Sequence, residues 1–373
     1  MTWTDPRALN STAATDTLPD TNPQLATDRN GTWVSVWQVG DNFGGGELGI
    51  LFSRSTDDGL TWSPPMALNA DAENNTSKNT APHIATDGSG NWIVVWEVAA
   101  DDLVLAVRSV DNGETWNEPE VIGTDARNPR LTTDRNGTWV TAWVSRTLDD
   151  IELSQSIDLG QTWSDPVLLG LPDPSLSQLA TDGQTWTVAA SADSIDGPIL
   201  GPTGPDLDVF VARSTDGGAS WSAPVAVNTN AAMDGASIDG GLVLAANDQR
   251  QWVAAWTSNT TLGATIGSDF DILTVTSFAE SGTEFIRGDC NGDGNVDITD
   301  PIVNLTFQFI GGEVLCRKAC DFDDSSAVDI TDANLNLSFQ LLGTAPPEPP
   351  GLTCGPDPTP DDGLHCNNGG SCQ

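Results

Sequence analysis

Five times along the first three quarters of the chain, apolar and polar positions alternate in the same series of short runs. The segments are NPQLATDRNGTWVSVWQV from Asn22, APHIATDGSGNWIVVWEV from Ala81, NPRLTTDRNGTWVTAWVS from Asn128, LSQLATDGQTWTVAASA from Leu176 and LVLAANDQRQWVAAWTS from Leu242. Each reads as strand, turn, strand, since period-two alternation bounded by Gly, Asn and Asp is a strand signal. Asn30-Gly31 and Asn136-Gly137 predict two-residue hairpin turns. The second strand carries Trp33 and Trp37, Trp92 and Trp96, Trp139 and Trp143, or Trp252 and Trp256, four residues apart and hence on one face, with Val on the other. A strand that is apolar on both faces must be covered on both, so the pattern predicts stacked sheets.

A third strand follows each pair (ELGILFSRS, DDLVLAVRS, DDIELSQS, DLDVFVARS, DFDILTVTS), and after four of the five comes a box: STDDGLTWSPP from Ser55, SVDNGETWNEP from Ser109, SIDLGQTWSDP from Ser156 and STDGGASWSAP from Ser214. Asp57, Asp111, Asp158 and Asp216 are expected to bond backbone two residues on, and Gly59, Gly113, Gly160 and Gly218 to supply positive φ, which makes each box a tight turn. Trp62, Trp116, Trp163 and Trp221 mark the period, and a short fourth strand completes the unit. Four antiparallel strands per repeat predict an all-β fold, a β-propeller of four-stranded blades. Five blades are present as written. The opening TWTDPRALN reads as an orphan fourth strand, so closure is expected between Trp3 to Asn10 and Asp269 to Ser277; a sixth blade upstream of Met1 is the alternative.

At these boxes the chain resembles the sialidase-like, Asp-box (bacterial neuraminidase repeat) superfamily over residues 1–284. The resemblance implies a propeller. In sialidases of that superfamily it further implies a tyrosine nucleophile with a glutamate, an aspartate acid/base and three arginines from different blades. This chain contains no Tyr, so sialidase activity is not expected. Arg54, Arg108 and Arg213 recur at one position before the box Ser and read as structural, and Arg29 and Arg135 sit in repeated hairpin turns, so the candidates are Arg127, Arg130 and Arg146, all on a single blade.

Aligning the first strands brings Gln24, His83, Arg130 and Gln178 to one position, with Leu244 as the fifth member. Polar side chains there are unlike a core, and these are the candidate ligand-binding residues of the propeller. The variable loops (VGDNFGGGEL after Val39, ADAENNTSKNT, SADSIDGPILGPTGPD and NTNAAMDGASIDGG) gather at the end opposite the boxes, where recognition is expected. Asp101, Asp102, Asp149, Asp150, Asp206, Asp208, Asp269 and Asp271 cluster where third strands begin and are expected to cap turns. No catalytic residue is assigned. His83 and His365 are the only histidines, too few for a His-based zinc site or a Ser-His-Asp triad.

With 53 Asp plus Glu against 14 Lys plus Arg, the formal charge is -39, a field that repels nucleic acid and favours cations. The run DCNGDGNVDITD from Asp289 makes the cation specific. Asp289, Asn291, Asp293, Asp297 and Asp300 take the side-chain oxygen positions of an EF-hand loop, Asn295 offers its carbonyl, and Gly294 holds the sharp turn. DFDDSSAVDITD repeats it with Asp321, Asp323, Ser325, Asp329, Asp332 and the Ala327 carbonyl, with Ser326 in place of the turn glycine, so binding is expected to be weaker there. PIVNLTFQFIGG and ANLNLSFQLLG then read as helices. Loop then helix, twice, with Asp at position 12, resembles dockerin domains over 285–345, which implies Ca²⁺ and a cohesin-like partner recognised through Ile298, Thr299, Ile330 and Thr331. Arg287-Gly288-Asp289 spells an adhesion tripeptide whose Asp is already a loop ligand.

Residues 346–365 read as a Pro-rich linker, and 366–373 match the opening of an epidermal-growth-factor-like module. All six cysteines fall in the last quarter, as in a disulfide-stapled tail outside the cytosol. An extracellular or cell-surface location is expected, with a signal peptide ahead of Met1. No apolar run is long enough to span a bilayer. The expected function is a secreted, modular calcium-binding protein whose propeller presents a glycan- or protein-recognition face and whose tail docks to a partner. The alternatives are a glycoside hydrolase or lyase without the tyrosine nucleophile, and a structural surface protein.

Overall fold

The computed structural model describes residues 5–10, 19–40, 49–69, 78–193, 207–228, 238–247, 251–260, 269–277, 284–312, 314, 316–325, 327–355, 364 and 366. The expectations placed on Trp3, Asp206, Ser326, His365 and Cys372, and on most of the four variable loops, lie outside the described residues. The chain divides into two compact units, Met1–Ser277 and Phe278–Gln373.

The first unit is five antiparallel sheets. They comprise β1 (Asp20–Thr27), β2 (Trp33–Val39), β3 (Gly49–Ser55) and β4 (Met66–Ala67); β5 (Asn79–Thr86), β6 (Trp92–Val98), β7 (Leu103–Ser109) and β8 (Glu120–Thr124); β9 (Ala126–Thr133), β10 (Trp139–Ser145), β11 (Ile151–Ser156) and β12 (Val167–Leu168); β13 (Pro174–Thr181), β14 (Trp186–Asp193), β15 (Leu207–Ser214) and β16 (Val225–Ala226); and β17 (Asp239–Ala246), β18 (Trp252–Ser258) and β19 (Asp271–Ser277). In each sheet the strands pair in chain order. The first strands β1, β5, β9, β13 and β17 neighbour one another in succession.

The cores lie between sheets. Val34, Val36, Ile50 and Phe52 of the first sheet pack on Trp92 and Trp96 of the second, Ile93 and Val95 of the second on Trp139 and Trp143 of the third, and Val140 and Ala142 of the third on Trp186 of the fourth. Ala189 and Val209 of the fourth meet Trp252 and Trp256 of the fifth. The two-faced pattern of the second strands therefore has one physical meaning: each Val face is roofed by the next sheet's Trp face. Each large ring removes an area whose burial contributes roughly 2–3 kcal/mol.

The boxes form turns by a route the sequence did not disclose. Asp57 Oδ1 accepts from Thr61 N–H at 2.8 Å and Oδ2 from the Thr61 hydroxyl at 2.6 Å, four residues on rather than two. Ser55 Oγ accepts from Gly59 N–H at 3.0 Å and donates to Asp57 at 2.8 Å. Asp111, Asp158 and Asp216 repeat the arrangement with Thr115, Thr162 and Ser220. Asp58 and Gly59 both take positive φ, 59° and 80°, which is why a glycine recurs there.

Asn30-Gly31 is not a two-residue hairpin. β1 ends at Thr27 and β2 starts at Trp33, and the five-residue connection is organised by Asp28 Oδ1, which accepts from Asn30 N–H at 2.7 Å and Thr32 N–H at 2.9 Å. Asp134 does the same for Asn136 and Thr138.

The expected closure is not formed among the described residues. β19 is the last strand of a three-stranded sheet, residues 5–8 carry no strand, and Asn10 Nδ2 donates to Asp20 Oδ2 at 2.6 Å, beside β1. Three of the other outer strands pair over only two residues, and the box hairpin before them keeps them in place.

The second unit carries helices α1 (Thr299–Ile310), α2 (Arg317–Cys320) and α3 (Ile330–Leu342), so the two amphipathic stretches are helical. α1 and α3 end at Gly311 and Gly343 with φ of 79° and 67°, the left-handed C-terminal position that glycine occupies without strain. Disulfides join Cys290 to Cys320 and Cys316 to Cys366. Phe285 and Gly355 exchange backbone hydrogen bonds, which ties the Pro-rich stretch to the start of the unit.

Candidate functional site

The candidate position on the inner strands recurs with the same register. Gln24 pairs with Val36, His83 with Val95, Arg130 with Ala142 and Gln178 with Ala189. The fifth member is Val243, which pairs with Ala255, rather than Leu244. A register shift interrupts the inner strand just before this point in four sheets, between Thr21 and Gln24, Thr80 and His83, Leu176 and Gln178, and Gly240 and Val243, and in the third it falls between Ala142 and Val144 on the pairing strand. All four polar members are half-buried.

Their surroundings differ. Gln178 Oε1 accepts from the Leu244 N–H at 2.6 Å and so staples the fourth sheet to the fifth. Arg130 Nη1 donates to the Pro129 carbonyl at 3.0 Å. His83 Nδ1 is buried without a hydrogen-bond partner, and burial, with the Arg130 charge beside it, pushes the imidazole down to about 4. His83 is therefore neutral at neutral pH, with a nitrogen able to accept or donate one bond. Burial also lowers the Arg130 guanidinium, which stays charged.

A second polar group joins the second and third sheets. Glu97, buried on the Val face of β6, accepts from Arg146 Nη2 at 2.9 Å and from Asn128 N–H at 3.0 Å, and Arg146 Nε reaches Asp102 at 2.7 Å. Gln38 is its counterpart one sheet earlier, accepting from Asn22 Nδ2 and the Thr80 hydroxyl. Sequence reasoning missed both; the signal was a lone Gln or Glu in the register of a Val face. Arg54, read as structural, donates to the Asn112 carbonyl of the next box at 2.7 Å. Of the third-strand aspartates, Asp150 caps a turn through the N–H groups of Ile151, Gly170 and Leu171, and Asp208 accepts from Asn228 at 2.5 Å.

In the second unit the two loops are related by a two-fold exchange. Asn304 of α1 donates to the Cys320 carbonyl ahead of the second loop, and Asn336 of α3 to the Gly288 carbonyl ahead of the first. Asp289 accepts from the N–H groups of Gly292, Asp293 and Gly294, and Gly294 takes φ of 88° at the expected sharp turn. Asp300 closes the loop on Asn291 and Asp297 N–H; Asp332 does so on Phe322 and Asp329. Burial, with Asp289 and Asp297 nearby, raises Asp300 to about 6. Burial, with Asp321 and Asp323, raises Asp332 to about 7.

Oxygens of Asp321, Asp323 and Asp332 come within 4.8 Å of one another, the only group of this kind among the described residues. Asp323 Oδ1 is buried without a hydrogen-bond partner. An all-oxygen set with an orphaned carboxylate oxygen fits a hard cation such as calcium. Arg287 is fully buried, paired with Asp324 at 2.9 Å and donating to the Pro349 and Asp321 carbonyls, so its place in the adhesion-like tripeptide is taken up by the core. Both helices leave apolar side chains in solvent: Ile302, Phe309 and Ile310 on α1, and Ile330, Leu341 and Leu342 on α3.

No curated protein matches this chain. Among solved structures, the Hadza microbial sialidase Hz136 is similar at 17% identity and a TM-score of 0.42, over 70% of this chain and 57% of that one. A Trypanosoma rangeli sialidase in complex with the inhibitor DANA is similar at 14% identity and a TM-score of 0.40, over 64% of this chain and 44% of that one. A Penicillium chrysogenum alpha-L-arabinanase complexed with arabinobiose is similar at 20% identity and a TM-score of 0.38, over 53% of this chain and 62% of that one. The chain thus spans little more than half of the first of these sialidases and less than half of the second. The family model of the BNR repeat-like domain matches residues 1–195 of the 373, and the chain belongs to that family.

Proposed function

We propose that this chain is a secreted, modular glycan-recognition protein: the sheets of the first unit present the ligand face, and the second unit, loaded with Ca²⁺, docks to a cohesin-like partner. One observation carries the first half. At a single position of five otherwise similar inner strands, Gln24, His83, Arg130 and Gln178 place four half-buried polar side chains in one row. Hydroxyl-rich ligands are held by such groups, each exchanging one or two hydrogen bonds, and a guanidinium adds charge-assisted bonds where the ligand carries a carboxylate. The chain has no Tyr, so binding rather than sialidase turnover is the reading.

For the tail, Asp289, Asn291, Asp293, Asn295, Asp297 and Asp300 would hold one Ca²⁺, and Asp321, Asp323, Ser325, Ala327, Asp329 and Asp332 the other. The ion supplies charge compensation for the buried carboxylates and fixes the loops against the helices. The exposed apolar side chains of α1 and α3 form the docking surface. Six cysteines in disulfide-rich surroundings support an extracellular setting.

A glycan array probed with and without calcium, followed by hydrolysis assays on every hit, tests the reading. Binding without turnover, lost in Arg130→Ala, supports it. Turnover that Arg130→Ala abolishes would replace it with a glycoside hydrolase.

A further inference from the structure

We propose that the turns between first and second strands form an oxyanion seat at the box end of the first unit, where Arg29 and Arg135 grip one sulfate-like group across the turn of the second sheet. The seat is separate from the row of Gln24, His83, Arg130 and Gln178 and does not rest on it. Arg29 and Arg135 lie beyond Gln24 and Arg130 in the chain, where the turns meet the boxes. Asp58 N–H donates to the Gly31 carbonyl at 3.1 Å, and Asn112 N–H to the Gly90 carbonyl at 2.9 Å.

Four of these turns are built alike. A Thr hydroxyl accepts from the N–H two residues on: Thr27 from Arg29 at 3.0 Å, Thr86 from Gly88 at 3.1 Å, Thr133 from Arg135 at 3.1 Å and Thr181 from Gly183 at 3.0 Å. The four donor residues are all left-handed, with φ of 61°, 79°, 62° and 93°. Glycine takes that conformation without strain and arginine does not. The second and fourth sheets use glycine there, whereas the first and third hold an arginine against the preference of its backbone. Strain of this kind concentrates where a side chain has a task. Packing is not that task, because both arginines are exposed, and no ion pair engages either guanidinium among the described residues.

The two arginines also feel each other's charge. Gly88 stands between them in the series, and a Cβ built on it would lie 3.4 Å from the Asp28 carbonyl, so adjoining turns touch. Partial burial and then the Arg29 charge lower the Arg135 guanidinium, and Asp87 acts the other way. Asp87 is itself committed to its own turn, accepting from Ser89 N–H at 2.7 Å, Asn91 N–H at 3.2 Å and Asn91 Nδ2 at 2.6 Å. Two like cations drawn together over a glycine, with the exposed Ser89 beside it, make a local well for an anion in a chain whose formal charge is -39.

The donors set the class of ligand. Each guanidinium fork presents paired N–H groups and no acceptor, and two such forks are met more fully by the several oxygens of a tetrahedral oxyanion than by one carboxylate. The negative field of the rest of the chain turns away polyanions such as nucleic acid. The ligand therefore carries a single such group, as inorganic sulfate or as a sulfate ester on a sugar.

Calorimetric titration of the 373-residue protein at constant ionic strength tests the seat, with sodium sulfate and glucose 6-sulfate as probes. Both are expected to bind; binding of sulfate alone would support the seat and assign it to the free ion. Arg29→Gly and Arg135→Gly are each expected to weaken sulfate binding about tenfold or more. Gly88 and Gly183 show that the turn accepts glycine at this position, and tryptophan fluorescence checks that the variants fold. Arg29→Asn and Arg135→Asn, neutral and tolerant of positive φ, replace any glycine variant that does not. Arg130→Ala in the row and Arg213→Gln beside a box are expected to bind sulfate as the parent does. Absence of sulfate binding, binding indifferent to both turn variants, or an equal loss in Arg213→Gln would each overturn the inference.

Discussion

Gly218 of the fourth box lies against Val140 of the sheet before it, so close that a methyl group on its Cα would sit 2.6 Å from Val140 Cγ2. The glycine has two independent reasons to be there, its φ of 92° and this contact. Gly59 has the first reason but not the second. Gly→Ala at any box costs about 1 kcal/mol for the positive φ, and overpacking adds about 1–3 kcal/mol where a neighbour is struck. Gly160→Ala and Gly218→Ala are therefore expected to lower the denaturation midpoint clearly more than Gly59→Ala, and equal effects in urea titrations would refute the junction.

The four box aspartates make the first unit acid-sensitive. Asp57 and Asp158 are held below the ordinary carboxylate range chiefly by the hydroxyls of Thr61 and Thr162. At Asp111, burial pulls upward but the Thr115 hydroxyl and N–H groups prevail, and the carboxyl lies at about 2. A carboxyl lower in the folded state than in the unfolded chain adds stability that is present in full above the unfolded value near 3.8 and fades as pH falls through the folded value. The midpoint of denaturation should drop between pH 4 and about 2, and Asp111→Asn should flatten that slope. An Asp111→Asn profile parallel to the parent would show that the box carboxylates carry no such coupling.

Much of this architecture was legible because it is local. The box writes a turn in eleven residues, and Trp at i and i+4 writes a two-faced strand, so sheet order and box glycines are visible in the letters. What joins separate repeats is not. Trp143 shows why: Trp37 and Trp96 donate to Asp20 and Asn79, the heads of their inner strands, but the third sheet has Ala126 there, and Trp143 donates instead to Glu152 at 2.5 Å. A partner from another strand leaves no periodic trace. The fifth inner strand, LVLAAND, is apolar throughout, so nothing in it marked Val243 rather than Leu244 as the member of the row. The asparagines and glycines of the first-strand turns suggested a two-residue loop because the capping role of Asp28 depends on a side-chain bond that composition does not encode.

In the second unit Arg287 is the staple. It is buried, ion-paired with Asp324 and bonded to carbonyls on either side. Removing one member of such a pair strands the other, at about 3–5 kcal/mol. Arg287→Ala is expected to unfold this unit while leaving the far larger tryptophan signal of the sheets intact, as followed by helical circular dichroism and tryptophan fluorescence on the same sample. Loss of both signals together would contradict it.

Calcium should produce two events in a calorimetric titration, one per loop. Asp293→Ala is expected to remove the event of the first loop, and Asp323→Ala, which deletes the carboxylate with the orphaned oxygen, that of the second. Saturating Ca²⁺ at about 100 times its dissociation constant should stabilise the unit by about 2.7 kcal/mol. Chelation should reverse this, and a melting curve indifferent to chelator would remove the metal from the account.

The recognition row is tested most directly by measuring glycan affinity for the parent protein, for Arg130→Ala and His83→Ala, and for Glu114→Ala on the box rim. The account predicts that the two inner-strand variants lose about tenfold or more in affinity, or about 1.4 kcal/mol each, while Glu114→Ala binds as the parent does. Binding that survives both inner-strand changes but is lost in Glu114→Ala, or the absence of any glycan ligand, would contradict it.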